Sequence, residues 1–108
     1  MRTPDVEAEL TFLTPEQGGR HTPVSTGYRG DLFYRGQNHV TLHEFLGTQS
    51  VDPGKTVNVL MRFLNPQVLH EHLRLNDKIE SREASQTVAR GKITRVIDLV
   101  LHGEGAQG

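Results

Sequence analysis

The sequence contains no cysteine. Disulfides, thiol catalysis and cysteine-based zinc sites are therefore excluded, and a reducing cytoplasm is the expected compartment. Residues 1–13 lack a continuous apolar run and include three carboxylates, so they predict neither a signal peptide nor a membrane-spanning segment.

A basic excess is also absent, because 12 Lys+Arg stand against 13 Asp+Glu and the net charge is -1. A protein that binds nucleic acid mainly by neutralising phosphates usually has a clear basic excess, so any RNA contact must come from a local patch. The length of 108 residues is typical of one domain with a modest core. With 34% hydrophobic and 23% charged residues, the composition is not that of a membrane protein or a charged tail.

Two segments alternate apolar and polar residues, as a half-buried strand does. Their apolar rows are Val6, Ala8, Leu10 and Phe12, and Val57, Val59, Met61 and Phe63. The turn tripeptide Asp52-Pro53-Gly54 precedes the second segment, and residues 14–19 form a turn rich in proline and glycine after the first. The aromatic run at residues 32–35 and the apolar residues at 40–46 predict further strands.

Periodicity leaves two segments ambiguous. Residues 87–101 also fit a helical face, but their β-branched content and Gly91 favour a long strand with a bulge. Residues 68–75 fit a loop or a short helix. About six strands without a strong helix predict an all-β protein, a small antiparallel barrel or sandwich. The expected organisation is a lead-in at residues 1–5, the β domain at 6–101 and a flexible tail at 102–108.

One loop and two following segments carry a more specific pattern: Gly18-Gly19-Arg20-His21-Thr22-Pro23, Gly27-Tyr28-Arg29 and Leu32-Phe33-Tyr34-Arg35. This pattern resembles the C-terminal (third) domain of translation elongation factor Tu, as a stand-alone domain. Further landmarks recur in the same order over residues 6–99: Val40-Thr41, Pro53-Gly54, Asn65-Pro66, Arg82-Glu83 and Thr87-Val88.

The resemblance implies a six-stranded antiparallel β-barrel that, in the full factor, contacts the T-stem backbone of aminoacyl-tRNA. The same domain docks there on the GTPase domain and on the nucleotide-exchange factor. Arg20, His21 and Glu83 match positions that touch tRNA, and Gly18 matches a glycine near the GTPase-domain interface. We expect Arg20, His21, Arg29 and Glu83 to bind nucleic acid. We expect Gly18, Gly19 and Asp31 to lie at a partner interface.

The chain departs from the family pattern at two places. Gly30-Asp31 replaces Pro-Gln, which puts a carboxylate that repels phosphate where the family has an amide. Ala84-Ser85-Gln86 replaces Gly-Gly-Arg, which removes flexible backbone and a cation. Both changes predict weak, salt-sensitive binding of RNA or tRNA, and they leave translation-factor proteins as alternative partners.

Other candidate sites are weaker. Gly54-Lys55-Thr56 ends like a phosphate-binding loop, but the motif needs a glycine where Gln49 stands, so we expect no GTP binding by this chain alone. His70 and His72 are weak candidates for a metal site, and no metal or other cofactor is expected. No catalytic constellation can be defended.

The leading hypothesis is thus a non-enzymatic β-barrel that binds RNA or a component of the translation machinery, without a membrane. The alternatives are a protein-interaction module that mimics or regulates the factor's partners, and a fragment of a longer elongation factor.

Overall fold

The structure is a computed structural model and describes residues 3–65 and 72–97. Eight strands follow one another along the described residues, with one 3₁₀ turn, Pro15–Gln17, after the first strand. They are β1 (Val6–Phe12), β2 (Val24–Ser25), β3 (Tyr28–Tyr34), β4 (Gln37–Phe45), β5 (Ser50–Val51), β6 (Thr56–Phe63), β7 (Lys78–Glu83) and β8 (Gln86–Val96).

Six of the strands close into an antiparallel barrel in the order β1-β6-β4-β3-β7-β8, and β8 pairs back onto β1. The short strands β2 and β5 form a separate two-stranded sheet. Closure pairs every barrel strand on both sides, which removes the exposed edges that promote aggregation. The predicted six-stranded antiparallel barrel is confirmed.

The barrel is filled by the two apolar rows that the sequence predicts. The rows of β1 and β6 are buried, with Val6, Ala8, Leu10, Val59 and Met61 at 0% exposure. Their polar neighbours face outward, as the period of two requires. Each fully buried aliphatic side chain of this kind contributes about 1.5–3 kcal/mol, so these two strands supply much of the core.

Strand β4 turns inward the face opposite to the one that Val40 and Leu42 occupy. Thr41, His43 and Phe45 are buried, whereas Val40 lies outward with 39% of its surface exposed. The polar groups can be buried because they are bonded: the Thr41 hydroxyl donates to the carbonyl oxygen of His39 at 2.8 Å.

Strand β8 confirms the strand prediction for the first part of residues 87–101, and residues 98–101 lie outside the described ones. Its register shifts fall at Val88, opposite β7, and at Thr94, opposite β1. Gly91 stays in register between Leu10 and Ile79. A Cβ on Gly91 would collide with the carbonyl oxygen of Glu9, so glycine lets β1 and β8 approach closely at that point.

Residues 72–77, which precede β7, pack against the end of β3. Leu73 is buried there, and the single Tyr34 O–H lies between two acceptors, Asp77 Oδ2 at 2.5 Å and the His72 carbonyl oxygen at 2.9 Å. Burial, followed by the hydrogen bond to Asp77, raises the pKa of Tyr34 to about 12. The predicted loop or helix at residues 68–75 falls partly outside the described residues, and residues 72–77 form turns.

The last residue of the lead-in is part of the packed structure. Asp5 is completely buried, and its Oδ2 accepts the backbone N–H of Phe63 at 2.8 Å. Its own N–H donates to the carbonyl of Met61 at 2.9 Å. The 102–108 tail lies outside the described residues. The part of the chain that the structure describes contains no helix long and apolar enough to cross a membrane.

Candidate nucleic-acid interface

The loop after β1 is held in place by its own turn. Thr14 caps the 3₁₀ turn: its hydroxyl accepts the N–H of Gln17 at 3.2 Å, and the Gln17 side chain accepts the N–H of Thr14 at 2.9 Å. Gly18 ends the turn at φ 90°, in the left-handed region. The first residues of the candidate interface therefore form a turn that is held by capping hydrogen bonds.

Glycine is needed at position 19 because a side chain would not fit there. Its φ is not positive, but a Cβ there would collide with the carbonyl oxygen of Leu13. Close contact with the chain end of β1 directs the next residue, Arg20, across the barrel end.

The β7–β8 hairpin reaches the same end of the barrel. Glu83 and Gln86 are its closing pair, and Ala84 adopts φ 56° in the two-residue loop. The amide of Gln86 donates to the carbonyl oxygen of Gly18 at 2.6 Å. This bond ties the hairpin to the loop after β1.

Arg20 and Glu83 meet between these two segments. Arg20 Nη1 donates to Glu83 Oε2, and the two side chains are 28% and 34% exposed. The Tyr28 hydroxyl donates to the same oxygen at 2.7 Å, and the Arg20 guanidinium lies 5.9 Å from the Tyr28 ring centroid. A second guanidinium nitrogen, Nη2, donates to the Thr22 hydroxyl at 3.0 Å. We call Arg20, Tyr28 and Glu83 the Arg20–Glu83 edge.

The chemistry of this edge is that of ion and hydroxyl recognition. Burial, followed by the hydrogen bond to Glu83, raises the pKa of the Tyr28 hydroxyl, so it stays protonated and donates. The guanidinium is a planar fork of N–H donors that suits a phosphate, and a carboxylate accepts hydrogen bonds from sugar hydroxyls. The partly exposed pair therefore offers both a cation and an acceptor at one place.

A comparison with known families places this chain in one of them. A family model for the elongation factor Tu C-terminal domain matches residues 2–97. The chain belongs to the elongation factor Tu C-terminal domain family. The predicted resemblance is thereby confirmed over nearly the whole chain, and the closed barrel is the fold that this resemblance implied.

A buried histidine, His43, lies behind the Arg20–Glu83 edge of this family member. The His43 ring packs edge-on against Tyr28 with centroids 5.2 Å apart. Because a carbonyl can only accept, Nδ1–H donates to the Thr41 carbonyl at 3.2 Å, and Nε2 then accepts the Ser81 hydroxyl at 3.0 Å. Burial lowers the pKa of His43 to about 4, so the ring is neutral at pH 7.

The Ser81–His43 pair has the spacing of a nucleophile and its base, but not the access. Both residues are 0% exposed and face the barrel interior. A substrate cannot reach either group, so their bond supports the Tyr28 ring from behind. Sequence reasoning missed this role, because Val40 and Leu42 on the same strand predict that the opposite face is buried.

The predicted nucleic-acid residues divide between two places. Arg20, His21 and Glu83 lie at one end of the barrel, with His21 exposed in the same loop as Arg20. Arg29 points to the opposite face of β3 from Tyr28. It lines a shallow pocket of about 210 Å³ with Val40, Leu42, Arg62, Phe63 and Leu64.

The predicted interface residues also differ in position. Gly18 and Gly19 belong to the loop of the Arg20–Glu83 edge. Asp31 lies in the middle of β3, opposite Arg82 of β7 and Val40 of β4. Two contacts that the sequence does not reveal, the Tyr28 bond to Glu83 and the Gln86 bond to Gly18, connect the loop and hairpin.

Gly54 and His72, which belong to the weaker candidate sites, lie in turns. Gly54 adopts φ 88° in the turn that leads into β6, as the turn interpretation predicts. His72 is exposed in the turn before β7, and His70 lies outside the described residues. Among residues 3–65 and 72–97, no three histidine or carboxylate side chains come together around a potential metal position.

Proposed function

We propose that this domain is a non-enzymatic binding module that contacts the sugar-phosphate backbone of a tRNA-like RNA through the Arg20–Glu83 edge. The observation that supports the proposal is the meeting of these two side chains, 63 positions apart in the sequence. Membership of a translation-factor domain family makes RNA and the translation machinery the natural setting. The proposal includes a cytoplasmic location, no cofactor and no GTP binding by this chain alone.

In the proposed complex, Arg20 binds a phosphate and Glu83 accepts a hydrogen bond from a ribose hydroxyl. The Tyr28 hydroxyl, which donates to Glu83 at 2.7 Å, holds the carboxylate in place while Arg20 turns to the ligand. The phosphate competes with Glu83 for the guanidinium, so the net gain in free energy is small. A few such contacts without base readout give weak binding that falls as salt rises.

The proposal is tested by fluorescence anisotropy with a labelled RNA hairpin that has a T-stem-like duplex. Arg20→Ala is expected to weaken binding by about tenfold, the effect of losing one charged contact worth roughly 1.4 kcal/mol. The matched control is Arg95→Ala. Arg95 also forms an exposed ion pair, with Glu7 at 2.9 Å. It lies at the other end of β8 from Gln86, roughly 30 Å along the strand at about 3.3 Å per residue. Equal affinities of both variants and the unmodified protein would contradict the proposal.

A second candidate function, protein binding, is favoured by the surface around Arg29. Val40 and Leu64 are 39% and 67% exposed there, and they line the shallow pocket with Leu42. Exposed apolar side chains ringed by arginines are typical of a protein-interaction surface. A translation-factor protein that binds here should lose affinity for a Leu64→Glu variant and keep it for Arg20→Ala.

A further inference from the structure

The outer surface of the barrel has a groove on the side away from the pocket of Arg29. It has a volume of about 680 Å³ and is lined by β1, β7, β8 and the end of β3. Its charged lining residues are Arg35, Lys78, Arg90, Lys92, Glu9 and Glu80. Four cations minus two carboxylates leave a local charge of +2 in a chain whose net charge is -1. We call this surface the basic groove.

The strand register places like charges together in the basic groove. Lys78 of β7 lies directly opposite Lys92 of β8, with Glu9 of β1 on the far side of Lys92. Like charges directly opposite in a sheet repel each other. Within residues 3–65 and 72–97, neither lysine forms an ion pair. An anion held between the two ammonium groups would remove the repulsion.

The second carboxylate of the groove is already engaged. Glu80 Oε1 accepts Arg82 Nη2 and the Thr87 hydroxyl, each at 3.0 Å, and Oε2 lies 3.6 Å from Arg90. The Arg82 guanidinium is in turn stacked on Phe33, 3.5 Å from the ring centroid. Glu80 is therefore largely neutralised by its own neighbours, which leaves Glu9, beside Lys92, as the other carboxylate of the groove. The four lining cations outnumber these two carboxylates.

We propose that the basic groove is a second binding surface for the phosphate backbone of RNA. This inference rests on the proposed function in taking RNA as the partner, but it uses different residues. Phe33, Tyr34 and Ile79 also line the groove, but Tyr34 and Ile79 are buried and the Arg82 guanidinium stacks on Phe33. The four large apolar side chains that are exposed in the described part of the chain, Val40, Leu46, Leu64 and Leu75, all lie outside the groove. A protein partner needs such an apolar centre, whereas a phosphate chain needs cations.

The test is a salt titration of RNA-hairpin binding by the full chain. Removal of two phosphate contacts in Lys78→Gln/Lys92→Gln should reduce the slope of log affinity against log salt by about 1 to 2, at roughly 0.9 per contact. The melting temperature should change little, because the variant loses both the repulsion between Lys78 and Lys92 and the attraction between Lys92 and Glu9. The control is Arg95→Gln, which removes an exposed cation that is paired with Glu7 and does not line the groove, and which should leave the slope unchanged.

The outcomes separate the two proposals. An unchanged slope in the lysine variant, with Arg20→Ala still weakening binding, overturns the groove and leaves the proposed function. A reduced slope with no effect of Arg20→Ala supports the groove and contradicts the Arg20–Glu83 edge. Tight binding of a polyglutamate peptide that depends on Lys78 and Lys92, without binding of the RNA hairpin, overturns the RNA inference in favour of an acidic protein.

Discussion

Gly30 leaves room for the ring of Tyr28. A Cβ on Gly30 would stand 2.6 Å from Tyr28 Cε2, well inside van der Waals contact. The glycine that replaces the family's proline thus allows this tyrosine to lie along its own strand. From there its hydroxyl reaches Glu83, and its ring covers His43. Gly30 thereby has a structural role, because it makes room for the ring whose hydroxyl bonds Glu83.

Gly30→Ala should therefore destabilise the barrel by roughly 1–3 kcal/mol, the usual result of forcing one extra carbon into a packed site. The measurement is urea unfolding. The control is a double-mutant cycle with Tyr28→Ala, in which the cost of Gly30→Ala should largely disappear. An undiminished cost in the Tyr28→Ala background would place the strain elsewhere.

Stability should depend on pH through His43. In the unfolded chain the ring takes up a proton as pH falls below 6.5, whereas in the barrel burial keeps it neutral down to about pH 4. The unfolded state then binds more protons than the folded state. The free energy of unfolding therefore decreases as the pH is lowered, by at most about 1.4 kcal/mol per pH unit. Stability from this source is complete above pH 6.5 and is lost progressively towards pH 4.

Urea unfolding at several values between pH 5 and 7.5 measures this slope. His43→Gln should flatten the slope whatever its effect on stability at pH 7.5. His21→Gln, which removes an exposed imidazole from the loop, is the matched control. The assignment fails if both variants retain the same slope as the unmodified protein.

Ala84→Gly should stabilise the hairpin that presents Glu83. Ala84 has φ 56°, and an L-residue with a Cβ pays about 1–2 kcal/mol in the left-handed region. The greater conformational freedom of glycine in the unfolded chain opposes folding by roughly 0.5–1 kcal/mol. The net increase in the free energy of unfolding is therefore expected to be up to about 1 kcal/mol. The neighbouring Ser85 does not have positive φ, so thermal unfolding of Ser85→Gly should show no such gain.

Asp5→Ala should cost roughly 1–3 kcal/mol, because it leaves the buried N–H of Phe63 without its 2.8 Å acceptor. Asp5→Asn keeps an acceptor oxygen of nearly the same shape and should cost clearly less. Chemical denaturation of both variants measures the difference. Equal costs would mean that the volume of the side chain, and not the hydrogen bond, determines its contribution.

The sequence was sufficient to predict the barrel because the alternation of apolar and polar residues in its clearest strands shows which face of each strand is buried. In β1 and β6 every second residue is apolar, and the interior takes those residues. Strand β4 could not be oriented in the same way. Its interior positions hold Thr41 and His43, which are stable there only through bonds to backbone and to Ser81 from a distant strand.

The candidate site was predictable in part. Arg20, His21 and Glu83 follow from the family pattern, and the structure places them at one end of the barrel. The family pattern alone did not show that Arg29 lies away from these three residues. In the structure Tyr28 points to the interior, so Arg29, its neighbour on β3, faces outward on the side of the barrel. The basic groove was hidden for a similar reason, since Lys78 and Lys92 become neighbours only through the β7–β8 register.

The central claim, an RNA-binding surface at the Arg20–Glu83 edge, is tested most directly by an NMR titration of the ¹⁵N-labelled protein with the RNA hairpin. The amide resonances of residues 19–22 and 83–86 should shift together, at the same RNA concentrations, and should shift less in Arg20→Ala. RNA binding that moves resonances elsewhere and leaves both of these segments unchanged would contradict the account.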